Sequence, residues 1–185
     1  MHWRNTSSRY GLVAILLHWG VALAFFGMFA LGLWMVGQDY YSPWYRTAPE
    51  LHKSIGLVLL AVMIGRLAWR LASPPPKALV RGAPARLAVK GGHALLYLGL
   101  FALMISGYLI STADGRGISV FGLFEVPATL TGLAHQEDVA GKVHLYLAWA
   151  LVALSAAHAL IALKHHFVDR DATLVRMLGR AERGA

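Results

Sequence analysis

Cysteine is absent from all 185 residues. Its absence excludes disulfides, iron–sulfur clusters and thiolate zinc sites. Charge is scarce as well: 14% of the residues are Asp, Glu, Lys or Arg, whereas a soluble domain carries about 25%. Acidic residues are the scarcest, nine in all, and none falls inside the long apolar runs described below. Ion transporters and proton pumps place carboxylates in their spans, so this lack argues against both classes. Any metal centre must rest on nitrogen or oxygen ligands, and the candidates are nine histidines.

What the chain has in abundance is apolar length. Apolar residues make up 57% of it and mean hydropathy is +0.54, the composition of a membrane protein. Four runs, at about 11–37, 51–71, 92–112 and 143–163, each reach the roughly 20 residues that cross a bilayer. The first sits where a signal sequence would, but it is too long for an h-region and shows no cleavage site, so it reads as retained. Lipid offers backbone groups no partners, so the expected fold is all-α: an integral membrane four-helix bundle forming one domain over 1–185.

The net charge of +8 is unevenly placed. Thirteen of the seventeen Lys and Arg precede run 1, gather at and after the end of run 2, or follow run 4. Only Arg46, Lys53, Arg116 and Lys142 belong to the other side. The positive-inside rule then puts both termini, the 2–3 linker and a charged tail (164–185) in the cytoplasm. No segment offers the folded basic surface that nucleic acid requires. The linker SPPPKALVRGAPARLAVKGG is rich in proline, glycine and basic residues, and the 3–4 connection (113–142), with the apolar run ISVFGLFEV and then the polar HQED, has room for a short interfacial helix. The tail is expected to form a short surface helix.

Two histidines, His144 and His158, lie fourteen residues apart in run 4. On an α-helix that step rises about 21 Å and turns about 1400°, so both share one face, one near each membrane surface. They are too far apart for one ion. By depth, His18 in run 1 pairs with His158, and His52 at the head of run 2 pairs with His144. Two bis-histidine sites stacked across a bilayer suit a pair of b-type haems, whose iron takes two axial ligands on opposite faces of the ring. A lone intramembrane histidine also serves simply to bond a neighbouring helix; four that pair by depth argue for a site. Small residues one turn away (Ala14, Ala22, Gly56, Gly141, Ala148, Ser155, Ala162) give a porphyrin edge clearance, although they suit ordinary membrane-helix packing too. Fourteen after His52 comes Arg66, a cation placed for haem propionates, and fourteen after His18 comes Gly32, which leaves room.

The motifs LLHW, LHKSIG, GKVHLYL, SAAHALIAL and KHHFVDRDATLVRM, in that order, resemble the bacterial cytochrome b561 family from His18 to about Met177. The resemblance implies a four-helix inner-membrane protein with two b haems exchanging electrons with the quinone pool, and His18, His52, His144 and His158 in the ligand roles. One member type oxidises superoxide on the periplasmic side and reduces ubiquinone. On that reading His165, seven residues after His158 and near the inner surface, is placed to bond a quinone carbonyl and deliver a proton. Lys53 and Lys142, beside the outer pair, are placed to draw in an anionic donor. His93 has no partner left at its depth, His166 points elsewhere, and Trp19 and Trp69 read as interfacial or packing residues. The acidic group near His135 (Glu125, Glu137, Asp138) reads as solvated loop. The alternative function is a cytochrome b subunit that anchors a separate dehydrogenase or hydrogenase; a haem-free transporter is the third.

Overall fold

A computed structural model describes residues 2–179. Four long helices dominate: α1 (Leu12–Met35), α2 (Thr47–Ala72), α3 (Ala83–Ser111) and α4 (Gln136–Phe167), followed by the short α5 (Thr173–Met177). Each of the four is long and apolar enough to cross a bilayer. Large apolar side chains such as Leu23, Phe26, Leu95 and Leu98 point outward and are exposed, as suits a surface wetted by lipid.

Helices α3 and α4 extend beyond the apolar runs. The second half of the basic linker, PARLAVKGG, is the first part of α3, with Pro84 in the opening turn where its missing N–H costs nothing. Helix α4 opens at Gln136, and Glu137 and Asp138, expected in a loop, lie in its first turn against the positive end of the helix dipole. Helix α2 stops at Ala72, just ahead of three prolines that cannot continue it. The 3–4 connection, where a short interfacial helix was expected to have room, instead folds ISVFGLFEV as a β-hairpin, β1 (Ile118–Val120) against β2 (Phe124–Val126), with Val120 opposite Phe124. Its β-branched and aromatic residues favour a pleated strand. Phe121 and Gly122 both take positive φ (52° and 72°) in the turn, closed by a 2.9 Å bond from Leu123 N–H to the Val120 carbonyl. The hairpin packs on α2, where the Ser54 hydroxyl donates to the Ser119 carbonyl (3.3 Å) and accepts from the Phe121 N–H (3.1 Å).

The tightest helix pairings are α3 with α4 and α1 with α2, with α2 and α3 touching more lightly. Two apolar clusters fill the middle of the bundle: Val21, Leu59, Met63 and Met104, and beside them Phe25, Leu103 and Leu151. Neither α1 nor α2 approaches α4 closely along its backbone. The segments rich in basic residues meet at one end. There Asn5 donates to the Ser73 carbonyl (2.7 Å), Lys77 N–H to Ser7 (3.2 Å), and the Trp19 indole to the Met177 carbonyl of α5 (3.0 Å).

Candidate cofactor sites

The four histidines paired by depth meet as two couples. His18 of α1 faces His158 of α4 with ring centroids 6.3 Å apart and planes at 62°. His52 of α2 faces His144 of α4 at 6.2 Å and 72°. Helix periodicity puts both His144 and His158 on the side of α4 that looks toward α1 and α2, and the apolar layer of Phe25, Leu103 and Leu151 packs between α1, α3 and α4.

The residues fit a ring-bound metal held between opposed imidazoles. A metal about 2 Å from each nitrogen, with each nitrogen roughly 1.1 Å from its ring centre, needs centroids about 6.2 Å apart. Both couples have that spacing. No cluster of three or more His, Asp or Glu side chains suited to a bare ion occurs among the described residues. At the second couple the tautomer fits as well. His144 Nδ1 lies 2.9 Å from the Leu103 carbonyl and 3.2 Å from the Ser106 hydroxyl, so Nδ1 carries the proton and the Nε2 lone pair is free. His52 Nδ1 is buried without a hydrogen-bond partner. Glycine lets both rings in. A Cβ on Gly32 would stand 3.3 Å from His52 Cε1, and one on Gly107 would stand 3.0 Å from His144 Cε1. Gly32 was expected to clear space at this depth; the space is taken by the His52 ring itself.

The first couple differs. Arg66 Nη2 lies 3.0 Å from His18 Nδ1, while its Nε donates to the Tyr97 hydroxyl at 3.0 Å. A guanidinium only donates, so His18 Nδ1 accepts in this arrangement and Nε2 bears the hydrogen. His18 therefore fits a ligand role through Nε2 only with Arg66 turned away from its ring. His93, which had no partner at its depth by sequence, packs on His158 with centroids 5.5 Å apart. That spacing is too short for a metal between the two rings.

The signal for this second set of neighbours was in the sequence. His93 is followed after fourteen residues by Gly107, the same step that links His18 to Gly32, His52 to Arg66 and His144 to His158. Each helix thus presents one residue at each level. At one level Gly32 and Gly107 flank the couple; at the other Arg66 and His93 do.

His165 sits at the α4–α5 junction, its side chain 18% exposed, with Nδ1 2.9 Å from an Asp171 oxygen and 3.0 Å from one of Asp169. Lys164 holds the same Asp169 at 2.8 Å. Burial acts to raise the Asp171 carboxyl, but hydrogen bonds from Thr173, and His165 beside it, outweigh burial and hold it below the ordinary carboxylate value. Lys53 is half-buried and Lys142 exposed; neither has an ion-pair partner among the described residues. His135 opens α4 in a left-handed conformation and is exposed, and Trp69 buries its indole N–H without a partner.

Four helices able to cross a membrane, with two couples of opposed imidazoles between them, define a class, that of multi-pass membrane helical bundles. Within that class, the model of the prokaryotic cytochrome b561 family matches residues 9–180, and the chain belongs to that family. It is a multi-pass membrane protein of electron transfer, and the family implies haem b. The chain is 56% identical to cytochrome b561 homolog 2 of Escherichia coli K12, over 98% of this chain and 97% of that one. It is 30% identical to a protein of Yersinia pestis named probable superoxide oxidase CybB, over 92% and 96%. It is 28% identical to Escherichia coli cytochrome b561 homolog 1, over 94% and 98%.

Proposed function

We propose that the chain is a di-haem b oxidoreductase of the bacterial inner membrane that oxidises superoxide at its periplasmic end and reduces ubiquinone at its cytoplasmic end. The observation that carries this reading is the pair of imidazole couples at 6.3 and 6.2 Å, one at each end of the apolar layer. His18 with His158 would hold the inner haem and His52 with His144 the outer one; bound there, haem b supplies one-electron oxidation and reduction at each level. Membership of the cytochrome b561 family supports the cofactor, and the relative named for superoxide oxidation supports the substrate. The clustering of basic segments at the His18 end supports a cytoplasmic location for both termini.

The protein's own groups then divide the work. Lys53 and Lys142 put positive charge beside the outer couple, where an anion gains from it in the poorly screened setting of a membrane surface. Phe25, Leu103 and Leu151 keep water out of the layer between the levels. With haem held there, Arg66 would turn from the His18 ring and offer its permanent positive charge to the haem carboxylates. His165, whose ring stands against the Asp169 and Asp171 carboxylates, presents Nε2 to a quinone carbonyl oxygen and passes it a proton. Overall, two superoxide anions become two dioxygen molecules, and one ubiquinone takes up two electrons and two inner-side protons.

The test uses purified, oxidised, haem-loaded protein under anaerobic conditions. Rapid haem reduction on adding superoxide, without any partner, supports the reading, whereas no reduction would leave the chain as an electron-carrying anchor for a separate dehydrogenase. In the same assay His165→Ala keeps both haems and slows ubiquinone reduction; unchanged quinone kinetics would remove His165 from the mechanism.

A further inference from the structure

We propose that His93 is the positioning partner of His158, accepting the proton-bearing side of that ring and tuning the inner haem without ligating it. The inference rests on the reading of His158 as a haem ligand. A histidine that ligates through Nε2 carries its hydrogen on Nδ1 and needs an acceptor for it. His144 has one in the Leu103 carbonyl at 2.9 Å. His158 makes no hydrogen bond among the described residues, and three polar side chains surround its ring. His18 stands opposite as the second ligand, and Arg66 only donates. His93 remains, and its tautomer suits the task. Its Nδ1 bonds the Val89 carbonyl of its own helix at 2.8 Å, which fixes the hydrogen there and leaves Nε2 as a bare acceptor.

The rings are already close. Centroids 5.5 Å apart, less two ring radii of roughly 1.1 Å, leave about 3.3 Å between facing atoms, so a small rotation of either ring completes the bond. The 5.5 Å spacing also separates this role from ligation, which needs the 6.2–6.3 Å seen in the other two couples. Position on the helix agrees: His93 and Gly107 stand one per level on the face of α3 that meets α4, and Gly107 lies against the other α4 histidine.

An acceptor on Nδ1–H makes the imidazole a stronger base, which favours the oxidised iron and lowers its potential. Removing the acceptor therefore raises it. Spectroelectrochemical titration of the haem-loaded protein reads this directly, with His18→Ala identifying the couple that belongs to the outer haem. In His93→Phe the expected result is two haems per chain, an unmoved outer couple, and an inner reduction equilibrium shifted at least fivefold toward the reduced form, about 40 mV for a one-electron couple. In His93→Gln, whose amide oxygen also accepts, the inner couple returns most of the way. The proposal is overturned if His93→Phe leaves both couples in place, if both couples move together, or if both variants lose one haem, which would make His93 a ligand. Retention of two haems in His158→Ala would instead overturn the ligand reading on which it stands, a distinct outcome.

Discussion

Gly107→Ala tests the outer site through one methyl group. The added Cβ would stand 3.0 Å from His144 Cε1 and 3.2 Å from its Nδ1. Carbon atoms rest at about 3.5–4.0 Å, so the ring must retreat by at least about 0.5 Å. It cannot do so freely, because Nδ1 is held at 2.9 Å by the Leu103 carbonyl and at 3.2 Å by Ser106, both on the same helix as Gly107. A retreat of that size stretches the shorter bond to about 3.4 Å, beyond the usual N–H···O range. A lost hydrogen bond of this kind costs about 0.5–1.5 kcal/mol, and loss of a ligand's supporting partner commonly weakens metal binding 10–100-fold.

The helix itself responds with the opposite sign, since alanine in place of glycine stabilises a helix interior by up to about 1 kcal/mol. The expected outcome is therefore a protein at least as resistant to unfolding, whose outer haem transfers to a scavenger roughly tenfold faster. Two further glycines calibrate the effect. A Cβ on Gly141 meets nothing within 4 Å, so Gly141→Ala should be silent; one on Gly32 meets His52 Cε1 at 3.3 Å, so Gly32→Ala should fall between. If Gly107→Ala released haem at the native rate, or no faster than Gly141→Ala, the close fit of ring against helix would carry no weight for binding.

His144→Ala or His52→Ala should each halve the haem-to-protein ratio by removing the outer haem; two haems retained in both would end the pairing. Lys53→Glu together with Lys142→Glu should slow reduction by an anionic donor about tenfold at low salt and flatten its salt dependence; an unchanged rate across the salt range would dismiss both lysines. Tyr10 lies where the N-terminal segment meets α2, and burial raises its phenol pKa, with Arg70 and Arg176 opposing. The buried form is thus the neutral one, and the stability it gives is complete below pH about 10 and lost as pH rises through the folded value. Tyr10→Phe should remove that alkaline sensitivity from thermal unfolding curves; an identical pH profile in both proteins would refute it.

Apolar length and the fourteen-residue step carried the four helices and the two couples, because a straight helix converts sequence distance into depth and facing with little interference from its neighbours. Loop residues lacked such a ruler. The hairpin at Ile118–Val126 was not legible because its apolar run has no period of its own, and its shape depends on Ser54 of a distant helix. The start of α3 was hidden for a different reason: glycine and proline in the linker look like breakers, yet Pro84 occupies the one turn that tolerates it. His93 was legible only as a residue without a partner at its depth. Its place beside His158 depends on how α3 rotates against α4, which no single-helix pattern fixes.

The fourteen-residue step explains more than which rings meet. Each helix gives one residue to each level, so every proposed ligand has a flanking residue from a neighbouring helix. At the His52 level both flanks are glycines, which supply room and no chemistry; His144 is held by the Leu103 carbonyl and the Ser106 hydroxyl, and His52 by packing alone. At the His18 level the flanks are Arg66 and His93, a fixed cation and a hydrogen-bonding imidazole. Two similar couples thus sit in dissimilar surroundings: one flanked by glycines that lie close against its rings, the other by groups able to shift charge between ring and metal. A chain whose two sites must hand electrons one way needs them to differ in potential. Here the proposed ligands are two imidazoles at each level, so the difference has to come from their neighbours.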